Sequence, residues 1–169
     1  MRALPRLMLV FALPVVIAAC APAPLYKTGP SIVHATPGQI SSSPGNFTGA
    51  EVIWGGEVIG VQNLPNQTRI EILAYPLDAS QRPRMKQSAT GRFMAELPGF
   101  VEPMNFPRGA LVTLRGQFTG TQAEHVGDAR YLYPTVLVRD GDLHRWTPAE
   151  LRQGHPNIRF GVGVGIGIH

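Results

Sequence analysis

Hydrophobic and polar residues alternate in several short runs between residues 47 and 147, which is typical of β-strands with one buried face. The clearest run covers residues 67–77, where Ile70, Ile72 and Ala74 alternate with other side chains, two of them charged. Four further runs of strand-like composition occupy residues 51–63, 90–97, 110–120 and 130–139. The pattern therefore predicts five strands.

Prolines and glycines between these runs restrict the fold further. Proline occurs at 65, 76, 83, 98, 103, 107, 134 and 148, so almost no window remains for a long helix. Only residues 148–152 are predicted as a short helical turn, with Thr147 as its N-cap, and residues 64–66 are predicted as a hairpin turn. We expect an all-β domain over residues 47–147, a small five- to six-stranded barrel of OB-like type, with a small β-sandwich as the alternative.

The first twenty residues have the layout of a secretory signal peptide. Arg2 and Arg6 precede an apolar run over residues 7–17, and small residues follow it. As a helix this run would reach about 16 Å, whereas a bilayer core is about 30 Å thick. The run is thus too short for a permanent membrane span, and we expect residues 1–19 to be a signal peptide.

Two segments outside the barrel are distinguished by composition. Residues 20–46 are rich in Pro, Gly and Ser and lack apolar periodicity, which predicts a flexible tether after the signal peptide. Residues 148–169 form a C-terminal extension ending in a Gly-rich tail, residues 160–168. As a strand, this tail would place its glycines on one face and its β-branched residues on the other. Disorder, self-association and membrane contact are the alternatives for the tail.

Charge and residue spacing argue against several classes of protein. Loss of Arg2 and Arg6 with the signal peptide lowers the formal net charge from +4 to +2, and no long basic stretch remains, so we do not expect nucleic-acid binding. The five histidines have no metal-ligand spacing, and Ile166 stands where a dinucleotide loop needs its last glycine. We therefore expect neither metal nor cofactor. An envelope enzyme acting on glycan or lipid through a carboxylate pair, such as Glu57 and Glu71, is the alternative to a non-enzymatic role.

Two groups of residues are candidates for binding. Aromatic rings next to glycines or prolines are predicted either to fill the core or to form a binding face on the barrel; they are Trp54, Tyr75, Tyr131 and Tyr133. A short basic loop is predicted to be either a solvated turn or a contact for an anionic glycan or a lipopolysaccharide phosphate; its cations are Arg82, Arg84 and Lys86.

The end of the signal peptide resembles the bacterial lipobox. In that motif an aliphatic residue and small residues precede an acceptor cysteine, as Ile17, Ala18 and Ala19 precede Cys20 here. The resemblance implies that Cys20 receives a diacylglyceryl group and becomes the first residue after cleavage. Ala21, in place of aspartate, implies sorting to the outer membrane.

The β-rich region also resembles a known family. Its aromatic and glycine segments, in order and spacing, are similar to those of the Slp family of bacterial outer membrane lipoproteins; they are residues 54–59, 68–78, 82–83, 91–93, 99–103, 112–116 and 126–134. The resemblance implies a lipid-anchored protein of the outer membrane, associated with starvation or stationary phase, and it carries over no catalytic residue. Outer membrane lipid, through acylated Cys20, and an envelope glycan or protein are the expected partners; the oligomeric state is left open.

Overall fold

Five strands close into a barrel in the computed structural model, which describes residues 23–152. The strands are β1 (Glu51–Asn63), β2 (Gln67–Ala74), β3 (Gly91–Pro98), β4 (Leu111–Val126) and β5 (Ala129–Arg145). Their order around the barrel is β1-β2-β3-β5-β4, and β4 pairs back with β1. Only β3 and β5 run parallel to each other among these pairs. The predicted all-β barrel is confirmed, and the sandwich alternative does not apply because one sheet contains all five strands.

The interior of the barrel is apolar, as the alternation in the sequence predicts. In β2, Ile70 and Ile72 are completely buried, whereas Arg69 and Glu71 between and beside them are partly exposed. Side chains from every strand meet in a single core; among them are Val52, Trp54, Val58, Phe93, Val112, Leu114, Phe118, Val136 and Val138. Burial of this set provides the main driving force for barrel closure.

The β4–β5 hairpin is longer than the sequence pattern predicts. Strand β4 continues to Val126, six residues past its predicted end at residue 120. Strand β5 begins at Ala129, one residue before its predicted start at residue 130. In β4 the residues after Phe118 are all at least partly exposed, so an inward-facing apolar set no longer marks the strand. The hairpin reverses at Gly127, whose positive φ of 61° suits glycine.

Residues 24–46, which we call the N-terminal segment, pack against the barrel. The segment contains helix α1 (Pro37–Ser42), and the side chain of Ile40 is completely buried in the core. Tyr26 and Ile32 are also buried, and the backbone N–H of Val33 donates to the carbonyl of Glu51 at 2.8 Å. The predicted flexible tether is therefore wrong for this segment.

The reason for this error lies in how α1 begins. Pro37 occupies the first turn of the helix, and the Thr36 hydroxyl accepts a hydrogen bond from the Gln39 backbone N–H while the Gln39 side chain accepts one from Thr36 N–H. Proline and threonine, which suggest a loop by composition, here start a helix. The buried residues are too irregularly spaced to produce a periodic signal.

The remaining predictions concern the two ends of the chain. Helix α2 (Pro148–Arg152) is present, and the Thr147 hydroxyl accepts from the Glu150 N–H at 3.3 Å, which confirms the predicted turn and its cap. The predicted signal peptide, Cys20 and the Gly-rich tail, residues 160–168, lie outside the described residues. Within residues 23–152, no helix is long and apolar enough to cross a membrane.

Candidate functional site

An open cavity of about 320 Å³ lies between the N-terminal segment and the barrel. The barrel contributes residues of β1 and of the chain that follows β2, and the N-terminal segment contributes the opposite wall. The apolar part of the lining includes Ile32, Val33, Ile53, Trp54, Tyr75 and Leu77. Five residues with polar side chains also line the cavity; they are Thr28, His34, Thr36, Gln81 and Thr90.

Hydrogen bonds from one side chain and from several backbone groups hold the walls of this cavity in place. The Trp54 ring is only 6% exposed, packs edge-on against Phe93 at 5.1 Å and donates from Nε1 to the Ala35 carbonyl at 2.8 Å. Thr90 bonds to both sides of the cavity, because its N–H donates to the Ala74 carbonyl and its own carbonyl accepts from Gly38 N–H. These bonds tie the N-terminal segment to the barrel, so the cavity is preformed.

Gln81 is a part of the site that the sequence did not single out. It is 7% exposed, has a positive φ of 65°, and its side chain exchanges hydrogen bonds of 2.7 and 2.8 Å with the backbone N–H and carbonyl of Tyr26. The Thr113 hydroxyl donates to its carbonyl at 2.7 Å. A non-glycine residue in this conformation is uncommon and needs such support. Glutamine in a polar, proline-containing loop carries no sequence signal for this role.

Tyr26 is fixed by more than its backbone. Its hydroxyl donates to the Thr113 carbonyl at 3.3 Å, and the guanidinium of Arg115 lies over its ring at 5.7 Å. Burial, and to a smaller extent the charge of Asp142, raises the pKa of Tyr26 to about 12. The ring therefore stays neutral across the physiological range and serves as a packing group.

The structure divides the four predicted aromatic residues into two separate pairs. Trp54 and Tyr75 line the cavity. Tyr131 and Tyr133 pack edge to face at 4.8 Å, and the Tyr133 hydroxyl donates to Glu71 at 2.8 Å. Glu71 points outward, because its neighbours in β2 are in the core, so the second pair lies on the outside of the barrel. The four rings thus do not share one binding face.

The outer pair belongs to a polar cluster rather than to an open surface. Arg92 donates to Glu71 at 2.7 Å, and its backbone N–H donates to the Tyr131 hydroxyl at 3.0 Å. Burial first, and the hydrogen bond to Glu71 second, raise the pKa of Tyr133 to about 12. The hydrogen bond to Glu71 also raises the pKa of Arg92. This cluster fastens β5 to β2 and β3.

The two acids of the predicted carboxylate pair lie on the same face of the sheet, but one of them is already engaged by other side chains. Glu57 faces Leu73 across β1 and β2, two residues from Glu71, so both acids lie on the outer face. The Glu71 carboxylate already accepts from Arg92 and Tyr133, which hold it in an ion pair. Within residues 23–152, no group of three or more His, Cys, Asp or Glu side chains is placed to hold a metal ion.

The basic loop divides into one internal cation and two exposed ones. Arg82 donates from Nε to Asp78 at 3.1 Å and from Nη1 to the Glu150 carbonyl at 3.3 Å, and its guanidinium lies over Trp146 at 6.0 Å. Arg82 therefore links the loop to α2 and is not a free anion ligand. Arg84 and Lys86 are exposed, and an anion contact remains a prediction for these two.

A family model and several known proteins match the sequence of this chain. The family model described as the outer membrane lipoprotein Slp family matches residues 17–161. The uncharacterized lipoprotein YeaY of Escherichia coli is 37% identical over 100 residues, which cover 59% of this chain and 51% of that protein. The outer membrane protein Slp of Escherichia coli is 32% identical over 97 residues, covering 57% of this chain and 51% of that protein.

A third relative extends the comparison to another genus. An uncharacterized protein of Haemophilus influenzae is 37% identical over 95 residues, which cover 55% of this chain and 50% of that protein. The chain spans about half the length of the curated relatives it matches. Because the family model covers most of the chain, the resemblance inferred from the sequence is confirmed, and this chain belongs to the Slp family of outer membrane lipoproteins.

Proposed function

We propose that the barrel is a binding module, held at the outer membrane by lipid on Cys20, and that the cavity beneath the N-terminal segment binds a small, largely apolar group. The cavity itself carries this proposal. Its volume of about 320 Å³ lies at the lower end of the range for ligand sites, roughly 300 to 1,000 Å³. Apolar walls with a few convergent polar groups are the usual composition of such sites.

The lining favours one class of ligand. Trp54, Tyr75 and Leu77 offer apolar surface, whereas His34 and Thr90 offer hydrogen-bonding groups at separate points. An aromatic ring or a segment of an acyl chain would bury its surface here and leave a polar end to those groups. A bare glycan would leave many hydroxyl groups unpaired against the apolar walls. The glycan or protein partner expected from the sequence stays a prediction for other surfaces.

Filling the cavity is expected to weaken binding of an apolar probe. Val33 is half-buried and lines the cavity, and Val33→Phe adds bulk at that wall. We expect wild-type protein to bind N-phenyl-1-naphthylamine saturably, with a rise in probe fluorescence. We expect Val33→Phe to weaken this binding about tenfold or more, a loss of about 1.4 kcal/mol.

Leu132→Phe is the matched control for this experiment. Leu132 is 41% exposed and is not among the residues that line the cavity, so the same gain in aromatic bulk should leave probe affinity unchanged. Equal affinity of all three proteins would show that the probe binds elsewhere. A signal that rises linearly with probe concentration, without saturation, would also contradict a cavity site.

We also propose that this protein serves the envelope during starvation or stationary phase. The support is the family resemblance carried by the blocks between residues 54 and 134. Immunoblots of cells sampled from growth into stationary phase, normalised to total outer membrane protein, should show its amount rising. A constant amount across growth phases would contradict the proposal.

A further inference from the structure

We propose that the barrel lies against the anionic headgroups of its own membrane through one defined patch, which we call the basic surface. The basic surface consists of the exposed residues Lys27, Arg84, Met85, Lys86 and Arg152. Its proposed partner is the layer of lipid phosphates in the leaflet that receives the acyl chains. The proposal depends on the lipid anchor and not on the apolar cavity.

The distance from the anchor to the folded domain is short. Because Tyr26 is only 9% exposed and is clamped by Gln81 through two hydrogen bonds, the docked part of the chain begins there. Tyr26 is six residues after Cys20 in the sequence. A fully extended chain spans at most about 3.3 to 3.6 Å per residue, so these six reach about 20 Å. The barrel therefore cannot leave the membrane surface, and the side carrying Tyr26 faces it.

The residues of the basic surface surround this point of attachment. Lys27 directly follows Tyr26, and Arg84 is three residues after Gln81, in a loop whose residues Leu77 and Pro83 form a β-bridge. Arg82 joins the same loop to α2, because its Nη1 donates to the carbonyls of Glu150 and Leu151 at 3.3 and 3.5 Å. Arg152 follows immediately and so lies beside this loop.

The positively charged side chains on this side of the molecule are available to bind an anion. Two acids nearby are already paired, Asp78 with Arg82 at 3.1 Å and Asp142 with Arg115 at 2.9 Å, and the Glu150 carboxylate accepts hydrogen bonds of 2.7 Å from the N–H and hydroxyl of Thr147. In the part of the chain that the structure describes, none of the cations of the basic surface forms a salt bridge. Met85, 40% exposed, stands between two cations and can enter the interfacial region.

The strength of this attraction follows from general membrane electrostatics. A lysine or arginine next to an anionic leaflet contributes about 1 kcal/mol, which is about a fivefold gain in the equilibrium constant. Arg84 and Lys86 together should therefore raise the equilibrium constant for contact with the leaflet about 25-fold. The anchor already keeps the barrel near the membrane surface. The attraction of the basic surface therefore determines how the barrel is oriented on the membrane, and not whether it is attached.

The test measures which side of the lipidated protein touches the headgroups. Cys20 is the single cysteine, and acylation blocks its thiol, so a fluorophore can be placed at Met85→Cys or, far from it, at Asn105→Cys. The full lipoprotein is reconstituted in vesicles of phosphatidylethanolamine and phosphatidylglycerol that contain lipid with a spin-labelled headgroup. We expect quenching at position 85 and little at position 105, and we expect the difference to disappear in phosphatidylcholine vesicles.

Paired charge variants separate this contact from a general effect of charge. Arg84→Gln with Lys86→Gln should lower the contact equilibrium about 25-fold and reduce quenching at position 85 to the level at position 105. Arg108→Gln with Arg130→Gln removes the same charge from two exposed sites elsewhere and should leave quenching unchanged. Quenching at position 85 that is equally strong with and without anionic lipid would overturn the proposal. Stronger quenching at position 105 would also do so, since it would assign the contact to the end carrying exposed Phe100 and Met104.

Discussion

Cys20→Ser is expected to release this protein from the membrane. The lipid is transferred to a thiolate, and a serine hydroxyl is not ionised under the same conditions, so the substituted residue cannot accept it. The anchor's hold on the bilayer comes from its acyl chains, each buried methylene contributing about 0.8 kcal/mol. With no acyl chains, the mature domain should move to the soluble fraction or remain as an uncleaved precursor.

Fractionation and intact mass together check this result. Wild-type protein should stay with the membranes after a high-salt wash and carry the mass of its acyl groups on the terminal cysteine. Ala23→Ser, an exposed substitution three residues further along, introduces the same side chain and should behave like wild type. The lipoprotein assignment of Cys20 fails if the wild-type cysteine carries no acyl mass, or if Cys20→Ser is cleaved and acylated like the wild type.

The docked N-terminal segment changes what such an anchor can do. A flexible tether from Cys20 to residue 46 would let the barrel sample all orientations well away from the lipid. With Ile40 in the core and Tyr26 bonded to Gln81, the chain is held against the barrel from Tyr26 onward. The cavity and the basic surface are therefore connected, because the N-terminal segment forms a wall of the cavity and also carries Lys27.

Residues whose role repeats at regular intervals along the chain could be predicted from the sequence, whereas residues that act singly could not. Ile70 and Ile72 repeat every second position, so their strand and its buried face were predictable. Ile40 and Tyr26 act singly, through contacts with distant residues, and no local pattern marks them. Trp54 shows the limit for the site: the sequence indicated an important ring, but only the fold places it in a cavity wall.

The polar residues show the same limit. Arg82 was expected to be one of three equivalent loop cations, yet its pairing with Asp78 and with carbonyls of α2 makes it structural. Asp78 lies four residues away, a spacing that is compatible with an ion pair but does not require one in a loop. The contact with α2 spans 68 residues of sequence, so only the folded chain determines it.

Gly56→Ala is expected to cause a large loss of stability. Gly56 pairs with Ala74 of β2 and with Val112 of β4, where β1 passes close to both neighbours. A β-carbon at this position would overlap the carbonyl oxygen of Leu73 and lie 2.7 Å from its carbonyl carbon. Backbone atoms cannot move aside as a side chain can, so relief requires strand separation. We expect the free energy of unfolding to fall by about 3 kcal/mol or more.

Gly60→Ala is the matched control, because it makes the same substitution in the same strand where an added β-carbon has nothing within 4 Å. Its effect should stay within about 1 kcal/mol, since it changes mainly the freedom of the unfolded chain. Urea unfolding followed by tryptophan fluorescence measures both variants, and the buried ring of Trp54 reports directly on the core. Equal stability of the two variants would mean that β1 can shift away from β2 without cost, and that close approach at Gly56 does not determine how tightly this barrel closes.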